Sequence, residues 1–115
     1  MLDKTKFYID GQWVAPLDGT ELSVINPATE SAFAKISLGG HKDAEAAVAA
    51  AKAAFPAWSV TTPKTRIMYL EKLLAVYEEH CQDMAQAISS EMGAPIDMSL
   101  SDQAGAGRSH LKSFI

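Results

Sequence analysis

The residues able to carry chemistry are few: one cysteine, Cys81, three histidines, His41, His80 and His110, and acids spread along the chain. A lone cysteine in an intracellular enzyme is a candidate nucleophile, because a thiolate attacks carbonyl carbon readily. Cys81 follows Glu78-Glu79-His80, however, and carboxylates beside a thiol oppose its ionisation. A structural or incidental thiol is the expectation. The histidines read as scattered, none sharing a helical face with a cysteine or carboxylate at the i, i+3 or i+4 spacing that brings two metal ligands together. His80 and Cys81 are adjacent and point apart. No zinc site is expected, only surface or capping histidines.

Gly105-Ala106-Gly107 begins like the glycine fingerprint that lets backbone amides approach a pyrophosphate, but His110 stands in place of the third glycine and no strand precedes it. Glu71, Glu78, Glu79 and Glu91 fall on helical stretches rich in ordinary surface charge, which gives little support to a paired-carboxylate site. Ser89-Ser90 and Ser109-His110 lack an acid at a spacing that would complete a nucleophile relay. These residues assemble no complete active site.

The elements that would hold such groups change character near residue 40. Phe7-Tyr8-Ile9 and Gln12-Trp13-Val14 flank Asp10-Gly11, a strong two-residue hairpin signal. After Asp18-Gly19, two further short strands are expected at Leu22-Ser23-Val24-Ile25 and Phe33 to Leu38, on either side of the Asn26-Pro27-Ala28-Thr29 break. Gly39-Gly40 closes this part. From His41 the period turns helical, with Ala44, Val48, Ala51 and Phe55 on one apolar stripe, Asp43 and Glu45 in the first turn, and Pro56 as the expected end. The other faces are mostly alanine, smooth enough to pack on more than one side. Thr62-Pro63 offers an N-cap and a first-turn proline for an amphipathic helix through Ile67, Leu70, Leu73, Leu74 and Tyr77. A third helix is expected from Asp83 to Met92, with Met84, Ala87, Ile88 and Met92 inward and Gly93 and Pro95 as stop signals.

The last helix carries Leu100, Ala104, Gly107, Leu111, Phe114 and Ile115 on one stripe. Gly105 and Gly107 each cost a helix about 1 kcal/mol against alanine, so the close approach of another backbone is expected there. No stop signal follows, and apolar residues still arrive on schedule at Phe114 and Ile115. The pattern points to a chain cut within an element.

Composition bounds the rest. The 115 residues have room for one small domain, and 48% hydrophobic with 21% charged residues is ordinary for a globular chain. A net charge of -4, with lysines and arginines interspersed among acids, leaves no basic stripe for nucleic acid. The longest apolar run, Ala46 to Ala51, falls far short of the roughly 20 residues that span a bilayer. A single cysteine and a start without an apolar leader segment point to the cytoplasm.

Five segments in order and register resemble the start of the aldehyde dehydrogenase superfamily. They are Phe7 to Val14, Val24 to Glu30, Ala50 to Ser59, Thr62 with Arg66 and the Leu73-Leu74 helix, and Glu91 to Pro95. The resemblance covers essentially the whole chain. It implies an α+β fragment spanning residues 1–115: strands and turns over 1–40, then about four helices over 41–115, from the outer part of a Rossmann-like, NAD- or NADP-binding domain. It also implies a parent enzyme, a homodimer or homotetramer, that oxidises an aldehyde to a carboxylic acid. In that family a cysteine thiolate attacks the carbonyl, hydride passes to the nicotinamide, and a glutamate activates the water that releases the acid. None of those residues is implied within this chain, so the chain alone is expected to bind no NAD or NADP and to be inactive. One minor site is implied by the resemblance: a structural monovalent cation held by the backbone carbonyls of Val24 and Ile25 and by an acid in the last helix. Gln103 stands at that acid's place, with Asp102 beside it. The expected partner is the remainder of such an enzyme; the alternative is a stand-alone, non-catalytic helical interaction module derived from one.

Overall fold

Asp10 and Gly11 both adopt positive φ, 52° and 73°, the geometry of a turn whose twist matches that of paired strands. They join β2 (Phe7–Ile9) to β3 (Gln12–Val14) in antiparallel register, Phe7 opposite Val14, Tyr8 opposite Trp13 and Ile9 opposite Gln12. The Tyr8 and Trp13 rings meet on one face with centroids 5.2 Å apart. A computed structural model describes all residues 1–115. A second sheet has the order β1 (Leu2–Lys4), β5 (Ser31–Leu38), β4 (Thr20–Asn26). β1 has no strand signal of its own; it runs parallel to β5, with Leu2 opposite Ala34 and Lys4 opposite Ile36.

The helices are α1 (His41–Ser59), α2 (Pro63–Glu79), α3 (Cys81–Met92), the short α4 (Ile96–Met98) and α5 (Gly105–Ser113). Ser99–Ala104 between α4 and α5 form a π-helical turn. No helix is long and apolar enough to cross a membrane. The chain divides into two compact units, one of Met1–Ile25 with Glu30–Val60 and one of Asn26–Thr29 with Thr61–Ile115. α1 thus belongs with the strands, not with the later helices.

In the first unit, α1 turns inward the side carrying Asp43, Ala46 and Ala50, while Val48 and Phe55 are 53% and 65% exposed. The expected apolar stripe is therefore real as a pattern but open in this chain. Pro56 does not end α1, which continues to Ser59. Proline removes one amide and crowds the carbonyl four residues back, and so close to the helix end only the last turn is affected. Ser59 Oγ donates to the Pro56 carbonyl there at 3.0 Å.

In the second unit, Thr62 Oγ1 accepts from Thr65 N–H at 3.1 Å with Pro63 in the first turn, a cap that contributes about 1 kcal/mol. Ile67, Leu70, Leu74 and Tyr77 are half-buried, and Leu73 is exposed. α3 begins at Cys81, two residues before the expected start, because His80 ends α2 and starts α3 at once. Its buried residue is Ala85, not Met84, Ala87 or Met92. α3 packs directly on the π turn, and at so close an approach a small side chain fits where methionine would not. Gly93, at φ 75°, closes the helix, and Ser89 Oγ donates to the Ala94 carbonyl at 2.8 Å.

The π turn also breaks the single stripe expected for the last helix. Each π turn holds an extra residue relative to an α turn, so residues before Ser99 and after Ala104 no longer share one phase. The buried positions are Ser99, Ala104 and Gly105, with Leu100, Gly107 and Leu111 half-buried and Phe114 75% exposed. The group that approaches Gly107 is a side chain and not a backbone: the Tyr77 ring occupies the space a β-carbon would need. Tyr77 Oη donates to the Ala104 carbonyl at 2.9 Å, tying α2 to the end of the π turn.

Candidate functional site

The polar groups that the fold brings together are anchors for backbone. Asp43, in the first turn of α1, is buried, and its Oδ1 accepts from Leu17 N–H at 2.7 Å while Oδ2 accepts from Gly40 N–H at 3.0 Å. Bonds to the Leu17 and Gly40 amides hold this carboxyl below its ordinary value against the opposing effect of burial, with Asp18 adding to the lowering. Asp18 Oδ2 accepts from Lys42 N–H at 3.1 Å. The two acids fasten the loop after β3 to the start of α1. Besides facing the helix dipole, Asp43 stands three residues after Gly40, the spacing from which an acid reaches back to that amide.

The histidines need a correction. His41 Nε2 lies 3.2 Å from Glu45 Oε1, an i, i+4 pair, and His80 Nδ1 lies 2.9 Å from Asp83 Oδ2, an i, i+3 pair. The carboxylate partners denied to them are present at helical spacing. Both pairs are exposed, and no group of three or more histidine, cysteine or acidic side chains gathers where it could hold a metal ion. Cys81 is a free, half-buried thiol.

Gly105-Ala106-Gly107 lies within helix, and Tyr77 fills the space beside Gly107. These glycines serve packing, and they offer no open cradle for a pyrophosphate.

Val24 and Ile25 are near the end of β4. The turn that follows is closed by Asn26, whose Oδ1 accepts from Ala28 N–H at 2.9 Å and whose carbonyl accepts from Thr29 N–H at 3.3 Å. Gln103 sits in the π turn, where Nε2 donates to Met92 Sδ at 3.2 Å and Oε1 is buried with no hydrogen-bond partner. Asp102 is exposed and accepts from Ser101 Oγ at 2.9 Å.

Short strands followed by helices give the chain an α+β arrangement. The family model for the aldehyde dehydrogenase family matches residues 13–114, and the chain belongs to that family. It is 45% identical over 111 residues to 3-succinoylsemialdehyde-pyridine dehydrogenase from a Pseudomonas species, a match covering 96% of this chain and 23% of that protein. The crystal structure of aldehyde dehydrogenase from Bartonella henselae superposes with a TM-score of 0.95 at 51% identity, over 97% of this chain and 24% of that one. Aldehyde dehydrogenase C from Pseudomonas syringae, crystallised with NAD+ and octanal, gives a TM-score of 0.91 at 42% identity, over 94% and 22%. The chain thus spans about a quarter of the length of these relatives and corresponds to the amino-terminal part of their fold.

Proposed function

We propose that this chain is the amino-terminal part of an NAD- or NADP-dependent aldehyde dehydrogenase that oxidises an aldehyde to a carboxylic acid, and that the 115 residues alone are inactive. The observation that carries the reading is the superposition on the Bartonella henselae enzyme at 51% identity over 97% of this chain. The chain's small core agrees with it: Ala34, Ala85, Ala94 and Ala104 are the apolar side chains it buries, while Val48, Phe55 and Phe114 stay exposed. Surfaces of this kind belong against more protein.

The parent is proposed to work in the cytoplasm as a homodimer or homotetramer. Val24 and Ile25 are proposed to offer backbone carbonyls to a structural monovalent cation, on the strength of the family resemblance.

The test is to express the full-length coding sequence and the 115-residue chain in parallel and to follow nicotinamide reduction with an aldehyde present. Activity in the former and none in the latter supports the reading. A full-length product without aldehyde-dependent reduction of either nucleotide refutes it.

A further inference from the structure

Two side-chain oxygens of the π turn are buried without a hydrogen-bond partner, Ser99 Oγ and Gln103 Oε1. Ser99 is 0% exposed, and because this chain alone encloses it, no group of a larger protein reaches its hydroxyl. Buried polar groups of native proteins are bonded to protein or to ordered water in all but a few cases. Gln103 Nε2 already donates to Met92 Sδ at 3.2 Å, so the end of the amide left to satisfy is the oxygen. The two positions lie four residues apart on one helical turn, a spacing that sets β-carbons on the same face about 5–6 Å apart. One water molecule, with hydrogen bonds of about 2.8 Å on either side, spans such a gap. Water inserted among amide–carbonyl bonds is a known cause of helix irregularity, and Ser99–Ala104 is where this helix departs from the α form.

We propose that the π turn binds one internal water, which accepts from the Ser99 hydroxyl and donates to Gln103 Oε1. Donors and acceptors then match: the hydroxyl has a hydrogen to place, Oε1 only accepts, and water joins one to the other. A cation in the same place would leave the hydroxyl hydrogen unpaired. The neighbouring acid, Asp102, is exposed and bonded to Ser101 Oγ, so the two groups that face the water are neutral. Through Gln103 Nε2 and Met92 the bridge extends from Ser99 to the end of α3. The inference does not depend on the proposed function, since burial within this chain persists whatever surrounds it.

The test is a crystal structure of the full-length protein at a resolution that shows ordered water, grown once with sodium and once with rubidium salts. The expected result is a peak within about 2.5–3.2 Å of both Ser99 Oγ and Gln103 Oε1, with no anomalous signal in the rubidium crystals. A rubidium signal at that position overturns the proposal and makes the occupant a cation. A direct bond between Ser99 and Gln103, a Ser99 hydroxyl turned onto the Pro95 carbonyl, or no peak at all also overturns it. Ser99→Ala in the full-length protein checks the same claim in solution. Loss of one partner of the water is expected to speed exchange of the π-turn amides about fivefold. Exchange that is unchanged or slower, the result when removing an unpaired hydroxyl relieves a penalty, overturns the proposal.

Discussion

Replacing Gly107 with alanine opposes two effects of different size. Intrinsic helix propensity favours the change by about 1 kcal/mol. A β-carbon at Gly107, however, would overlap Tyr77 Oη and lie 2.8 Å from Cζ and 3.4 Å from Cε2, so the ring must shift. Overpacking of this sort costs about 1–3 kcal/mol, and the shift also endangers the 2.9 Å hydrogen bond from Tyr77 Oη to the Ala104 carbonyl, a further contribution of about 1 kcal/mol. The net expectation is a loss of about 2 kcal/mol for the segment, or exchange of the α5 amides about 30-fold faster. Hydrogen exchange read by mass spectrometry on the full-length protein resolves this segment from the rest. Tyr77→Phe, which removes only the hydroxyl, is expected to cost about 1 kcal/mol. Gly107→Ala is expected to cost less in that background, because its nearest clash has gone and the two sites share one contact. Slower exchange in Gly107→Ala, the result that propensity alone demands, would refute this account of the π turn.

The buried carboxylate of Asp43 sets a pH dependence. Its folded value is depressed, chiefly by the Leu17 and Gly40 amides, so its stabilising effect is present above the ordinary carboxylate value and lost as pH falls through the depressed one. Thermal melts from neutral pH into the acid range are expected to fall less steeply in Asp43→Ala than in the native protein; parallel curves would show that the carboxylate does not tie the loop to α1. Thr62→Ala removes the acceptor for Thr65 N–H at 3.1 Å and is expected to cost about 1 kcal/mol. Thr62→Ser is expected to restore most of it, with exchange of the first-turn amides of α2 as the readout.

What was legible in the sequence was what neighbouring residues decide among themselves. Asp10-Gly11 takes positive φ at both positions, and Thr62-Pro63 caps and opens α2, because each dipeptide acts on its own backbone. The α+β fragment and its family were legible through segments spread over the chain, and the family match over residues 13–114 agrees. Distant groups decided what was missed. No residue type marks Ser99–Ala104 as π-helical; Tyr77, 27 residues before Ala104, holds the carbonyl at its end. The inward face of α3 could not be taken from hydrophobicity, since close packing on the π turn selects Ala85 by size and leaves Met84 and Met92 exposed. β1 needed a partner strand, β5, roughly 30 residues away in the chain. Of the candidate site, the His41–Glu45 and His80–Asp83 pairs stand at i, i+4 and i, i+3, spacings the sequence alone displays.

The division of labour within this segment follows from the same facts. Alanine is the largest apolar side chain that the chain buries fully, and alanine offers far less area than the leucine or phenylalanine whose burial contributes about 1.5–3 kcal/mol each. Yet the turns and helix ends are pinned by specific bonds: Asp43 to Leu17 and Gly40, Thr62 to Thr65, Ser89 to Ala94, Tyr77 to Ala104. Such bonds fix geometry while each contributes only about 1 kcal/mol. The sequence therefore encodes the shape of the segment in its polar anchors, and on the proposed reading the main hydrophobic driving force comes from covering exposed faces such as that of Val48 and Phe55. On that account, polar substitutions at Val48 or Phe55 should weaken the parent enzyme more than they weaken the isolated 115 residues.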